Sequence, residues 1–319
     1  MNAPDTGKPR CILMFSTGLD STLAAFLLAD QGIDFVPFSV RIPFRTPPST
    51  ERLAAVTSVL GKQVFTFTAD QEYLRIVLHP KHGYGSGMNP CMDCKVYFLS
   101  RAREHLDRLG AAYVVTGDVL DQRDMSQHLR QMQIIERESG LEGLIVRPLT
   151  AKNLPPSIPE QRGWIDRSLL LGIRGKVRKD QIRLAQKYGI ADVSSAGGCL
   201  LTDQMYILRF RELLAHVPNP AVQDVELLRI GRHHYRGNDR IILGRNEQEN
   251  AVLAEHADPQ QHLLIVPDFP GPSALCIPAP DSTTTRAELA DTAMSLIRER
   301  SRKRHTPVSS APIPAGGDS

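Results

Sequence analysis

Apolar residues in the first half of the chain gather into short runs that alternate with longer segments of helical character. Residues 11–15 form a continuous apolar run closed by Ser16-Thr17-Gly18, which reads as a buried strand. Residues 21–29 are apolar at nearly every position, which suits a helix packed on a sheet. The same reading predicts strands over 35–42, 63–67, 112–116 and 143–146. It predicts helices over 51–60, 97–109 and 127–138, the second of them stopped by Gly110. Strands alternating with helices imply βαβ units and a parallel sheet, so the fold class is α/β. Ligands of such sheets sit at the carboxyl ends of the strands. The residues after Phe15, Thr116 and Val146 therefore become site candidates.

Farther along, residues 153–160 are proline-rich and irregular, 178–187 form a basic helix, 194–199 a loop of small residues, and 203–216 another helix. Residues 217–220 read as a domain boundary. Past it, strands over 227–230, 240–243, 262–266 and 274–277 and helices over 247–256 and 286–304 make a smaller α+β unit. The expected organisation is a catalytic domain over 1–216, a second domain over 217–304, and a disordered tail over 305–319, rich in Pro, Ser, Ala and Gly.

A length of 319 residues agrees with two domains. The 38 basic and 35 acidic residues leave a net charge of +3, too small an excess to predict a nucleic-acid partner by itself. The 5 cysteines are too few for a disulfide scaffold, and two form the pair Cys91-Met92-Asp93-Cys94. That usage fits a reducing compartment, where a close pair is more often metal-binding or catalytic than structural. No apolar run approaches the ~18 residues of a membrane helix. The first ten residues lack the apolar core of a signal peptide. A cytoplasmic location without a membrane partner is expected.

Ser16-Thr17-Gly18-Leu19-Asp20-Ser21 lies between the first strand and the first helix. A helix N-terminus offers unpaired backbone N–H groups and the positive end of the helix dipole, which suits a phosphate. Gly18 lets the backbone approach closely, Ser16 and Ser21 can donate to phosphate oxygens, and Asp20 can hold Mg²⁺ or cap the helix. The plainer reading is a capped strand-to-helix turn. The loop matches neither the Walker pattern nor the dinucleotide G-x-G-x-x-G.

Cys91 and Cys94 can turn both sulfurs toward one ion or cluster. The helix after Cys94 and the neighbouring Lys95 are expected to lower the thiol pKa values. Cys199 follows Gly197-Gly198, which allows close approach to a bulky inorganic group. Zinc, a thioredoxin-type pair, an iron–sulfur cluster and persulfide chemistry all remain open, beside three unrelated core cysteines. Cys11 and Cys276 fall in strands and read as buried packing residues.

These motifs together resemble a known family. The 16–21 loop is similar to the S-G-G-x-D-S loop of PP-loop (N-type) ATP pyrophosphatases, with Thr17 at the first glycine; that replacement costs little if its φ is negative. A PP-loop, then Pro90-Cys91-x-x-Cys94, then one distant cysteine resembles the PP-loop tRNA thiolation enzymes. The segment Gly117-Asp118-Val119-Leu120-Asp121-Gln122, continuing to Ser126-Gln127, is similar to the G-[ED]-x-L-x-Q-x-x-S-Q segment of 4-thiouridine synthetases, as is Arg147-Pro148-Leu149 to their R-P-L. The resemblance spans roughly residues 11–202. It implies an adenine nucleotide alpha hydrolase-like sheet, cleavage of ATP between the α- and β-phosphates with Mg²⁺, and adenylation of a tRNA base that sulfur then attacks. It also implies a nucleotide site of Ser16, Gly18, Asp20, Ser21, Gly117, Gln122 and Ser126, and roles for Asp118 and Asp121 in Mg²⁺ or proton handling. Cys91, Cys94 and Cys199 would hold a 4Fe–4S cluster with one iron open or, alternatively, run a persulfide relay. The sulfur donor would be sulfide or a cysteine desulfurase persulfide, and a homodimer is left open.

Arg174, Lys176, Arg178, Lys179, Arg183 and Lys187 concentrate positive charge in one stretch, opposed by Asp180. Gly244-Arg245-Asn246-x-x-Glu249-Asn250 is similar to the G-R-N-x-x-E-N of the NFACT RNA-binding domain. Lys95, Arg174, Lys176, Arg178, Lys179, Arg232 and Arg245 are the RNA-contact candidates, and His233-His234 reads as a basic RNA-facing or loop pair. The competing classes are a PP-loop ligase or amidase acting on a small molecule, and an inactive RNA-binding protein with a decayed loop.

Overall fold

Strand β1 (Arg10–Met14) runs through the middle of a five-stranded sheet, with Cys11, Ile12 and Leu13 fully buried. The computed structural model describes residues 8–45, 61–190 and 198–305, with side chains up to 301. The sheet continues with β2 (Phe35–Arg41), β3 (Phe65–Thr68), β4 (Ala111–Val115) and β5 (Ile145–Val146) in the order β3-β2-β1-β4-β5. Every pairing is parallel, as the alternation of apolar runs and helices predicts. The chain builds β2 and β3 on one side of β1, then crosses to build β4 and β5 on the other. The order reverses between β1 and β4, and at such a switch point the strand ends open a crevice.

Both faces of the sheet are covered. On one face Leu13, Val115 and Val146 pack with Ala24, Ala25 and Leu28 of the phosphate-loop helix, Leu19–Asp30. The outer side of that helix, Leu19, Leu23 and Leu27, packs with Ile173 and with Ala185 of the helix Lys179–Lys187. Burial on both sides explains why its sequence is apolar all round. On the other face Ile12, Phe38 and Val114 meet Met92, Leu99 and Ala102 of the cysteine helix, Cys91–Glu104, and Ile135 of Leu129–Glu138. Cys11 is a packing residue in the first of these cores.

Several elements depart from expectation. The cysteine helix begins at Cys91 rather than Tyr97, because Met92 is buried against the sheet and Cys94 N–H donates to Pro90 O at 2.9 Å. The helix Gln71–Leu78 was not expected; Asp70 caps it by accepting from Glu72 N–H at 3.0 Å. The expected helix 51–60, most of the loop 194–199 and all but the first residue of the 305–319 tail lie outside the described residues. No described helix is long and apolar enough to cross a membrane.

The chain divides into two compact units, Met1–Ile207 and Leu208–Ser319, and the division falls inside the helix Gln204–His216. The second unit carries an antiparallel sheet of β6 (Arg232–Arg236), β7 (Asp239–Leu243), β8 (Leu263–Ile265) and β9 (Ala274–Ile277), ordered β6-β7-β9-β8. Alternate residues face opposite sides. Ile241, Leu243, Ala274 and Cys276 meet Leu289, Ala293 and Ile297, whereas Ile242 and Leu275 meet Leu227 and Leu253. Residues 227–230 are not a strand: a helix, Val222–Leu227, ends there in turns closed by Leu228 N–H to Val225 O and Ile230 N–H to Leu227 O. Strand β6 was not legible, because Arg-His-His-Tyr-Arg has no aliphatic residue to mark it.

Polar groups tie this unit together. Arg240 is buried, donating through Nε to His233 Nδ1 at 3.1 Å and through Nη2 to Asp224 O at 3.0 Å. His233 Nε2–H in turn donates to Ile230 O at 2.9 Å, so the imidazole is neutral with its tautomer set by its neighbours. It is not the basic RNA-facing residue expected. The G-R-N-x-x-E-N residues make contacts within this unit as well. Asn246 caps the helix Glu247–Glu255, Asn250 Oδ1 accepts from Ser273 N–H at 3.0 Å, and Glu249 binds the Arg245 guanidinium and the Gly231 N–H. Arg245 is thereby held by a carboxylate within its own unit.

Burial, reinforced by Arg240, brings the His233 pKa down to about 3 from 6.5. The unfolded chain then binds a proton that the folded chain refuses, so stability falls as pH drops from about 6.5 toward 3. The slope from this residue is about 1.4 kcal/mol per pH unit. His233→Leu is expected to flatten that acid limb, read as the urea midpoint of the full chain across the same pH range.

Candidate functional site

The phosphate loop is shaped by its own hydroxyls. Ser21 Oγ donates to Gly18 O at 2.9 Å and accepts from Ser16 N–H at 3.3 Å, while Thr22 Oγ1 donates to the same carbonyl at 3.0 Å. The helix that follows has no side-chain cap, which leaves its first-turn N–H groups to a ligand. Thr17 takes φ 58°, in the left-handed region, which overturns the expectation of a negative φ. Its Oγ1 donates to Ser16 O at 2.6 Å. A β-branched residue there is strained, at a cost on the order of 1–3 kcal/mol.

Asp20 occupies the first turn. Its Oδ2 accepts from Gln122 Nε2 at 2.9 Å, and its Oδ1 is buried with no hydrogen-bond partner among the described residues. Burial raises this carboxyl above the usual range, against the pull of Gln122, Arg178 and Arg123. An unsatisfied carboxylate oxygen beside a phosphate loop fits a hard cation such as Mg²⁺. The end of β4 abuts this loop: a Cβ on Gly117 would stand 2.6 Å from the backbone of Asp20 and Ser21.

Next to it, Asp118 Oδ1 accepts from Lys95 Nζ at 2.6 Å and from Gln127 Nε2 at 2.8 Å. Burial alone would raise the Asp118 carboxyl, but the charges of Lys95 and Arg147 outweigh it and hold the group at about 2. Burial also pulls the Lys95 ammonium below the usual lysine range. Lys95, expected at an RNA surface and beside the thiols, is the inward partner of Asp118. Arg147 of the R-P-L segment is buried and paired with Glu136.

The three candidate cysteines border the same space. Asn89 Nδ2 donates to Cys91 Sγ at 3.2 Å, and the Tyr73 hydroxyl lies 3.2 Å from Cys94 Sγ. Cys199 is placed by a backbone bridge to Arg45, while Leu200 N–H donates to Phe44 O and Met88 N–H to Leu201 O. The Cys94 thiol does not fall as expected: burial pushes it up to about 12, and burial raises Cys199 as well. Among the described residues no three His, Cys, Asp or Glu side chains are grouped to hold a single metal ion.

One cavity of about 650 Å³ joins these parts. Its lining includes Ser16, Gly18, Asp20 and Ser21 as well as Cys91, Cys94 and Cys199. Lys95, Gly117, Asp118, Gln122 and Ser126 border it too. Asp121 is absent from the lining. Its carboxylate takes His128 Nδ1 and Arg174 Nε, each at 2.6 Å, and its φ is 61°, so it is engaged within its own loop and with the segment at 174. In the basic stretch exposed Arg174 pairs with Asp121 and exposed Lys176 with Asp124, Lys176 and Arg178 border the cavity, and Lys179 is exposed. Arg232 is exposed in the second unit. Tyr73, Asn89 and Arg123 also border the site or touch its thiols. Asn89, next to the P-C-x-x-C, and Arg123, inside the 117–127 segment, stood beside readable motifs, whereas nothing in the sequence marked Tyr73.

Residues 7–153 match the family model described as thiamine biosynthesis protein (ThiI). That match lies within the first unit and covers a little under half of the chain. A probable tRNA sulfurtransferase of Thermococcus kodakarensis is 28% identical over 149 residues, which are 44% of this chain and 36% of that protein. The chain thus matches about a third of the length of that relative. Among solved structures, a 4-thiouridine synthetase–RNA complex with bound ATP overlaps 70% of this chain and 53% of its own, at TM-score 0.43 and 16% identity. A predicted subunit of tRNA methyltransferase from Methanocaldococcus jannaschii overlaps 44% and 69%, at TM-score 0.31 and 20% identity. The ThiI domain match ends at residue 153, ahead of Cys199 and the helix Lys179–Lys187.

Gly117→Ala forces its methyl into backbone that cannot yield, so it is expected to weaken nucleotide binding by the full chain at least tenfold in calorimetric titration with ATP. Thr17→Gly is expected to raise the thermal midpoint, because it removes left-handed strain.

Proposed function

We propose that this chain is an ATP-dependent tRNA sulfurtransferase that adenylates a base carbonyl of tRNA and replaces its oxygen by sulfur. The observation that carries the reading is that the phosphate loop and Cys91, Cys94 and Cys199 line the same cavity. An activated base and a sulfur atom can therefore meet without the intermediate leaving.

The roles follow from position. The loop N–H groups and the hydroxyls of Ser16 and Ser21 bind phosphate, and Asp20 Oδ1 is the acceptor for Mg²⁺. The base oxygen attacks the α-phosphorus and pyrophosphate departs. Lys95, kept beside Asp118, offers a cation to the charge that develops on phosphate. Sulfide then attacks the activated carbon; the carbon–oxygen bond breaks, AMP carries off the oxygen, and no electrons are transferred overall. Arg123 and Arg178 border the cavity where the phosphate charge is released.

Cys91, Cys94 and Cys199, which line one cavity, would each bind a different iron of a 4Fe–4S cluster. When bound, that cluster supplies a vacant iron position for sulfide. Exposed Arg174, Lys179 and Arg232 are RNA-contact candidates outside the cavity.

The chain purified without oxygen is expected to form AMP and pyrophosphate in the presence of tRNA, to bind about four irons, and to yield one thiolated nucleoside by mass spectrometry. Asp20→Ala should abolish AMP formation, and Cys199→Ala should abolish thiolation while AMP formation persists. Active protein devoid of iron would replace the cluster by a persulfide relay. AMP formation indifferent to tRNA would replace the reading by a small-molecule ligase.

A further inference from the structure

The helix Lys179–Lys187 turns one side chain of an unexpected kind toward the interior. Gln181 is completely buried, although its neighbours Asp180 and Ile182 are exposed. A buried amide costs stability unless it is used. Ala185, one turn farther on, packs with Leu23 and Leu27 of the phosphate-loop helix, so an apolar residue would suit this face. Gln181 Nε2 instead donates to Gln122 Oε1 at 3.4 Å, and Gln122 Nε2 donates to Asp20 Oδ2 at 2.9 Å. The first of these bonds is long, as contacts of a site without its ligand commonly are.

The direction of this chain of donors matters. An amide can offer a carboxylate either its NH₂ or its carbonyl oxygen, and the second choice repels. A donor placed on Gln122 Oε1 leaves Gln122 one favourable orientation, with NH₂ toward Asp20. That hydrogen bond occupies Oδ2 and leaves Oδ1 as the acceptor. The segment before the helix holds Gln181 in place. Arg174 pairs with Asp121, Lys176 with Asp124, and Gly175 N–H donates to Leu120 O at 2.8 Å, all on the loop that carries Gln122. Arg178, one turn before Gln181, borders the cavity.

We infer that Gln181 is a positioning residue that acts through Gln122 to aim the Asp20 carboxylate at the cation accompanying ATP. The inference rests on the adenylation reading, and it gives residues 174–181 a role at the nucleotide in place of the RNA contact that their charge suggested.

The test uses the full chain and reads Mn²⁺ by electron paramagnetic resonance in the presence of ATP, apart from any activity. Gln181→Met is expected to weaken Mn²⁺ binding about tenfold, with a thermal midpoint no lower than that of the parent. Gln181→Leu also removes the donor without introducing a charge, and should show the same loss. In a Gln122→Ala background the Gln181→Met change should have no further effect, whereas a residue that merely supports the fold would add its own loss. Parent-like Mn²⁺ affinity in both Gln181 variants, or additive losses in the double variant, overturns the inference alone. A parent chain that binds no Mn²⁺–ATP overturns the adenylation reading and the inference with it.

Discussion

The Lys95 ammonium and the Asp118 carboxylate, 2.6 Å apart, join the cysteine helix to the end of β4. Both are largely removed from water, and two such charges are tolerable only as a pair. Their contact sets where the P-C-x-x-C lies relative to the strand ends. Cys94 is left in a buried setting against Tyr73, where the protonated thiol is favoured.

The other half of the cavity depends on close backbone approach rather than charge. Gly117 has no room for a side chain because Asp20 and Ser21 lie against it. Thr17 adopts a left-handed backbone, and Asp20 Oδ1, Arg178 Nε and Gln181 Oε1 are buried without hydrogen-bond partners among the described residues. Strain and unsatisfied polar atoms together mark a place where the fold is shaped for a ligand instead of for its own stability. In the second unit the polar side chains of Arg240, His233, Glu249 and Asn250 find partners within the unit. A short motif similarity there therefore reports the wiring of β7 to its neighbouring helix as readily as it reports RNA contact.

The strand runs, the phosphate loop and the division of the five cysteines into two packing residues and three site residues were legible in the sequence. Each is a local property: an unbroken apolar run, a glycine and hydroxyls between a strand and a helix, a fixed spacing of thiols. The β6 strand, the early start of the cysteine helix and the helix Gln71–Leu78 were not, because their inward residues are few or polar and only packing against the sheet selects them. The direction of each charged side chain was also beyond reach. Arg174 meets Asp121 across 53 positions and Lys95 meets Asp118 across 23, so a stretch that reads as a basic RNA face is partly neutralised by carboxylates far away in sequence. By itself, then, the sequence determined the α/β class and singled out the phosphate loop and the cysteine pair as candidates, since both follow from local pattern. Only the tertiary structure decided which charges stay available and that the phosphate loop and the thiols share one cavity, since both depend on which distant segments meet.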